Sequence, residues 1–146
     1  MVITSRIIVK KPVKQVWDFF DNPDNMHLWL KDFKHFEPIS GKQGEVGAKA
    51  HHVYENKGKK FILEEEITKK VPYKEFSGIL RHRSMESIML NTFEDVGHDR
   101  TSLVCTVDTK FKSLPFKLFG SMMKKSFQKR QDADLNRLKE CLELES

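Results

Sequence analysis

Pro12-Val13-Lys14-Gln15-Val16-Trp17-Asp18-Phe19-Phe20-Asp21-Asn22-Pro23-Asp24-Asn25-Met26-His27-Leu28-Trp29-Leu30 is the stretch whose reading decides the fold. Pro12 has a fixed φ and no N–H, and both suit the opening turn of a helix. Val13, Val16, Trp17 and Phe20 then recur at i, i+3, i+4 and i+7, which makes one apolar face of a two-turn helix. Asp21-Asn22-Pro23 stops that helix and starts another, because Asn22 is a good N-cap and Pro23 a good first residue. Met26, Trp29 and Leu30 continue at helical spacing. Two short helices therefore form a V with apolar faces to bury.

Upstream, Ile3, Arg6, Ile7, Ile8 and Val9 form a β-branched run ending at Lys10-Lys11, which reads as a strand. Downstream the period changes to two. Strands are expected over Phe33 to Ile39, Ala48 to Tyr54, Phe61 to Thr68, Glu75 to His82, Met85 to Glu94 and Thr101 to Phe111. Their connections are Gly41 to Gly47, the hairpin turn Asn56-Lys57-Gly58-Lys59, Val71-Pro72-Tyr73 and Val96-Gly97-His98-Asp99. Short strands at regular intervals predict one antiparallel, meandering sheet. A final helix is expected from Ser113, with Pro115 in its first turn. Phe116, Phe119, Met123, Phe127, Leu135, Leu138 and Leu142 hold one face over about seven turns. Lys117, Lys124, Lys125, Lys129, Arg130, Arg137 and Lys139 fall largely on the others. The sheet is the only large surface available to that stripe, so helix against sheet is the expected core of an α+β protein.

The 146 residues make one ordinary domain, and no repeat, linker or low-complexity tract divides residues 1–146. No apolar run is long enough to span a bilayer, and the N-terminus lacks a secretory h-region and a small-residue cleavage site, which predicts a cytoplasmic protein. The balance of 26 basic against 21 acidic side chains, net +5, is spread over a helix face and turns and names no partner. Cys105 and Cys141 show neither metal spacing nor a disulfide framework and read as reduced thiols.

The order of one strand, two short helices, six meandering strands and one long helix resembles the helix-grip fold of the START-like superfamily, also called SRPBCC. Pro12-Val13-x-x-Val16-Trp17-x-x-Phe20 and Asn22-Pro23-x-x-Met26-x-x-Trp29 look like its first two helices. Gly41 with Val46-Gly47-Ala48, the Glu64 to Pro72 stretch, and Phe93 followed by Arg100-Thr101 are similar to its polyketide cyclase/dehydrase branch. The resemblance implies a seven-stranded curved antiparallel sheet (β-α-α-β6-α) gripping the C-terminal helix, with a hydrophobic ligand held between them. It implies no single reaction, since members include cyclases, dehydratases and hydrolases as well as carriers of lipids, hormones or polyketides.

Side chains alternate faces along a strand, so the more apolar set of each should face the helix. This selects Phe61, Leu63, Glu65 and Ile67; Phe76, Gly78, Leu80 and His82; Met89, Asn91 and Phe93; and Leu103, Cys105, Val107 and Phe111. Ala48, Ala50, His52 and Tyr54 are the inward choice in the third strand. The expected ligand-binding set is Trp29, His52, Tyr54, Leu63, Glu65, Phe76, Leu80, His82, Met89, Asn91, Phe93, Phe119, Met123, Phe127 and Gln131. Gln131 enters because it interrupts the apolar stripe between Phe127 and Leu135. The inward polar groups admit two readings. Glu65 with His52 or His82 could act as acid and base while Tyr54 donates to a carbonyl that gains charge. Alternatively, they orient the polar head of a greasy ligand or satisfy one another.

Other constellations are absent: no HExxH spacing or Cys/His cluster for a metal, no G-x-S-x-G, and no nucleotide-binding glycine motif. No cofactor is expected. Lys124-Lys125 with Lys129-Arg130 reads first as a solvated face, with Arg130 and Asp134 paired one turn apart. A transient contact with an anionic membrane is the second reading, and aromatic residues are not interleaved as nucleic-acid binding would require. Gly120 reads as a point of close helix–sheet packing, or else as a soft start to the helix. The leading expectation is binding of a hydrophobic or amphipathic molecule, lipid-like, polyketide-like or aromatic. The rivals are a cyclase- or dehydratase-like enzyme, and an interaction module that uses outward Ile88 and Leu90 for a partner or a homodimer.

Overall fold

The computed structural model describes residues 1–112 and 120–144. Its strands are β1 (Val2–Val9), β2 (Phe33–Ser40), β3 (Lys49–Asn56), β4 (Lys59–Val71), β5 (Glu75–His82), β6 (Met85–Gly97) and β7 (Arg100–Phe111). Between β1 and β2 lie α1 (Val13–Asp21), a 3₁₀ turn (Pro23–Asn25) and α2 (Met26–Trp29); α3 (Gly120–Leu144) follows β7. The seven strands run in the order β1-β7-β6-β5-β4-β3-β2, and neighbouring strands pair antiparallel throughout. This is the expected helix-grip arrangement. The expected helix start, with Ser113, Pro115, Phe116, Lys117 and Phe119, lies outside the described residues.

Local chemistry accounts for the joints. Pro12 stands just before α1, and its carbonyl accepts the N–H groups of Gln15 and Val16. The Asn22 side chain accepts the Asp24 N–H at 3.0 Å, while Pro23 needs no partner. At the β3–β4 hairpin Lys57 and Gly58 have φ of 50° and 79°, the left-handed pair that a two-residue turn needs to follow the strand twist. Several strands run longer than their apolar patterns, β4 to Val71 and β6 to Gly97, because ladder pairing continues after the burial pattern has ended.

α3 crosses the concave face of the sheet and packs on β1 and α2. Leu135, Leu138 and Leu142 are buried in one cluster with Ile7, Val9, Val16, Trp17, Phe93 and Leu103. Trp17 stacks edge-on to Phe93 at 5.0 Å, and Phe20 does the same at 5.2 Å, so α1 seals one end of the sheet with a solid aromatic core. Toward its N-terminus α3 carries only half-buried Met123, Phe127 and Gln131 on this side. No helix among the described residues is long and apolar enough to cross a membrane.

Two expectations about α3 are corrected. Asp134 pairs with Arg137, three residues on, and accepts the Lys31 N–H at 3.2 Å; Arg130 instead donates to the Lys31 carbonyl at 2.9 Å. Arg130 swings toward the loop after α2 and over the Tyr54 ring, 5.7 Å from its centroid, and so leaves Asp134 to the guanidinium nearer the core. A Cβ placed on Gly120 would meet nothing within 4 Å, so this glycine does not serve close packing among the described residues.

Candidate functional site

Between the sheet and the N-terminal half of α3 lies a cavity of about 460 Å³. Its wall includes Trp29, His52, Tyr54, Glu65, Phe76, Leu80, Met89, Asn91, Phe127 and Gln131, all of them from the expected set. β3 supplies His52 and Tyr54, β4 Glu65, β5 Phe76 and Leu80, and β6 Met89 and Asn91, each through the inward parity of its strand.

Four expected residues stand off the wall. Leu63 is buried opposite His52 on the paired strand without reaching the cavity. His82 lies at the far end of β5, stacked on Phe61 at 4.4 Å with Nδ1 2.7 Å from Ser84 Oγ. Phe93 belongs to the aromatic core under α1, and Met123 sits on α3 away from the wall. Phe119 lies outside the described residues. Strand parity assigns a face but not what covers it: α1 covers Phe93, and His82 turns to Phe61 although its cross-strand neighbour Met85 lines the cavity.

Other wall residues went unnamed in the sequence. Ser87 and Thr109 join across β6 and β7 by a buried hydroxyl pair at 2.7 Å, and their parity with Met89 and Val107 was the available signal. Phe20, Met26 and Leu30 extend the helical stripes that were read, whereas Asp134 and Lys70 carry no local signal for facing a cavity.

Hydrogen bonding divides the polar wall in two. Gln131 Nε2 donates to Ser5 Oγ at 3.1 Å and to the Cys105 carbonyl at 3.0 Å, and Asn91 Nδ2 donates to the Phe76 carbonyl at 3.2 Å. These amides are thus tied to the scaffold. His52 and Glu65 are both buried, with Nε2 3.3 Å from Oε2, yet His52 Nε2 makes no aligned hydrogen bond. Phe33 and Phe36 pack against the imidazole at 6.0 and 5.6 Å between centroids. Burial, with Asp134 and Glu65 close by, pushes the Tyr54 hydroxyl far above the ordinary phenol range despite Arg130, so it stays a neutral donor. Burial alone pushes the Cys105 thiol up to about 12, which removes it as a nucleophile at neutral pH. Among the described residues no group of three His, Cys, Asp or Glu side chains is placed to hold a metal ion.

The profile of a protein family described as polyketide cyclase / dehydrase and lipid transport matches residues 1–143. A comparison with curated proteins returns no match. Among solved structures, a START superfamily protein from Mycobacterium smegmatis superposes with a TM-score of 0.82 at 13% identity, covering 99% of both chains. A protein from Thermus thermophilus gives 0.78 at 16% identity over 100% of this chain and 99% of that one. A conserved protein from Geobacillus kaustophilus gives 0.78 at 14% over 97% and 95%. At such identities the likeness is one of fold.

Proposed function

Because the chain belongs to the polyketide cyclase/dehydrase and lipid transport family, we propose that it binds a hydrophobic or amphipathic small molecule between the sheet and α3. The observation that carries this reading is the cavity of about 460 Å³. Its size falls in the range of small-molecule sites, and its wall is mainly apolar with a few convergent polar groups. Leu80 and Met89 would cover the apolar body of the ligand, with His52, Tyr54 and Glu65 offered to its polar end. The test is gentle purification followed by native mass spectrometry and organic extraction, together with titration of an environment-sensitive apolar dye. A co-purifying lipid-like species or saturable dye binding, abolished in a folded Leu80→Trp variant that fills the space, is expected. Absence of both would end the reading.

A second reading, acid/base catalysis of the cyclase or dehydratase type, is favoured by the buried His52–Glu65 pair at 3.3 Å beside a neutral phenol donor. A substrate whose turnover survives Glu65→Gln unchanged would remove Glu65 as the base.

A further inference from the structure

Glu64, Glu65 and Glu66 are consecutive, and β4 sorts them by face. Glu64 and Glu66 point outward, and both reach Arg81 Nη1, at 3.6 and 2.8 Å. Glu65 points inward and is 7% exposed, and its cross-strand neighbours are Ala50 and Leu80. Its ion-pair partner is His52, whose Nε2 is 3.3 Å away without an aligned hydrogen bond. Cations around the same cavity are engaged elsewhere. Lys70 holds Asp21 and the Gly44 carbonyl, each at 2.7 Å, and Arg130 holds the Lys31 carbonyl. Arg137, behind the wall, holds Asp134.

A carboxylate accepts hydrogen bonds and donates none. A second anion brought beside it, where water is scarce, is repelled. Building on the ligand-binding reading above, we infer that Glu65 selects the head group of the ligand: an amphiphile ending in a neutral hydroxyl, alcohol or phenol, that donates to Glu65 is taken, and one ending in a carboxylate is refused. The apolar neighbours Ala50 and Leu80 leave Glu65 to set the polarity of its part of the wall, and Arg130, which lies over the Tyr54 ring, makes no ion pair with Glu65 among the described residues.

Three probes with one aromatic body test this by calorimetry near neutral pH: naphthaleneethanol, ethylnaphthalene and naphthaleneacetate. The wild-type protein is expected to bind the alcohol about tenfold more tightly than the hydrocarbon, as one hydrogen bond to a charged group provides, and the acetate most weakly. Glu65→Gln adds an N–H donor and removes the charge, so the acetate is expected to gain about tenfold, a change that mere loss of packing would not produce. Glu65→Leu, with folding checked by thermal melting, is expected to keep the hydrocarbon and lose the preference for the alcohol. Equal binding of all three probes by the wild type, or no gain of the acetate in Glu65→Gln, overturns the assignment and leaves the cavity reading standing. Failure of every probe to bind overturns both.

Discussion

A Cβ added at Gly78 would lie 2.8 Å from the Glu66 carbonyl oxygen and 3.0 Å from Met89 Cε. The methionine can move but the backbone cannot, so Gly78→Ala is expected to destabilise the protein by about 1–3 kcal/mol in urea titrations. Asp134 shows a second effect at the same scale. Burial is the largest influence on its carboxyl and holds it above the usual range, despite the Lys31 N–H and nearby Arg137. The folded chain therefore holds this proton more tightly than the unfolded chain. That contribution to stability is present below the ordinary value of about 4 and is lost as pH rises through the raised one. Urea titrations of wild type and Asp134→Asn between acid and neutral pH should show the advantage of the wild type shrinking as pH rises; a difference independent of pH would contradict it. The partner of Asp134 was not legible in the sequence. Arg130 and Arg137 both lie on the same helix within reach of it, and the choice depends on the loop at Lys31, about a hundred residues away in the chain.

α3 performs two tasks along one stripe. Leu138 is fully buried among core side chains, whereas Phe127 is half-buried and faces the cavity, with its ring stacked at 6.2 Å on Phe111. Leu138→Ala is expected to cost about 2–5 kcal/mol. Phe127→Ala should cost clearly less in the same denaturation assay, because one side of its ring already meets open volume; equal losses would mean that the N-terminal half of α3 is packed as solidly as the rest. The apolar period revealed that a long helix would lay one face on the sheet. It did not reveal that the face changes from core to cavity wall at Leu135, which belongs to both, because both tasks use the same spacing. The same limit applies to Phe93, whose inward parity carries no sign that α1 fills the space over it, and to His82, which stacks on Phe61 while its cross-strand neighbour Met85 lines the cavity.

For the molecule as a whole, cavity and core share one sheet, so occupancy and stability are linked. A ligand present at a hundredfold excess over its Kd should stabilise the fold by about 2.7 kcal/mol, raising the melting temperature by several degrees in a concentration-dependent way. A co-purified species that is removed and returned without shifting the melting temperature would not occupy this site. What the sequence alone determined was the order of elements, the antiparallel meander and the face that the last five strands, β3 to β7, turn inward, His52 and Glu65 included, because these follow from periodicities and turn residues acting over a few positions. The tertiary structure decided the location of the hollow, the partner that each charged group takes, and the burial of Glu65 beside His52. Those depend on distances between residues remote in the chain, which only the packing of α1, α2 and α3 onto the sheet sets.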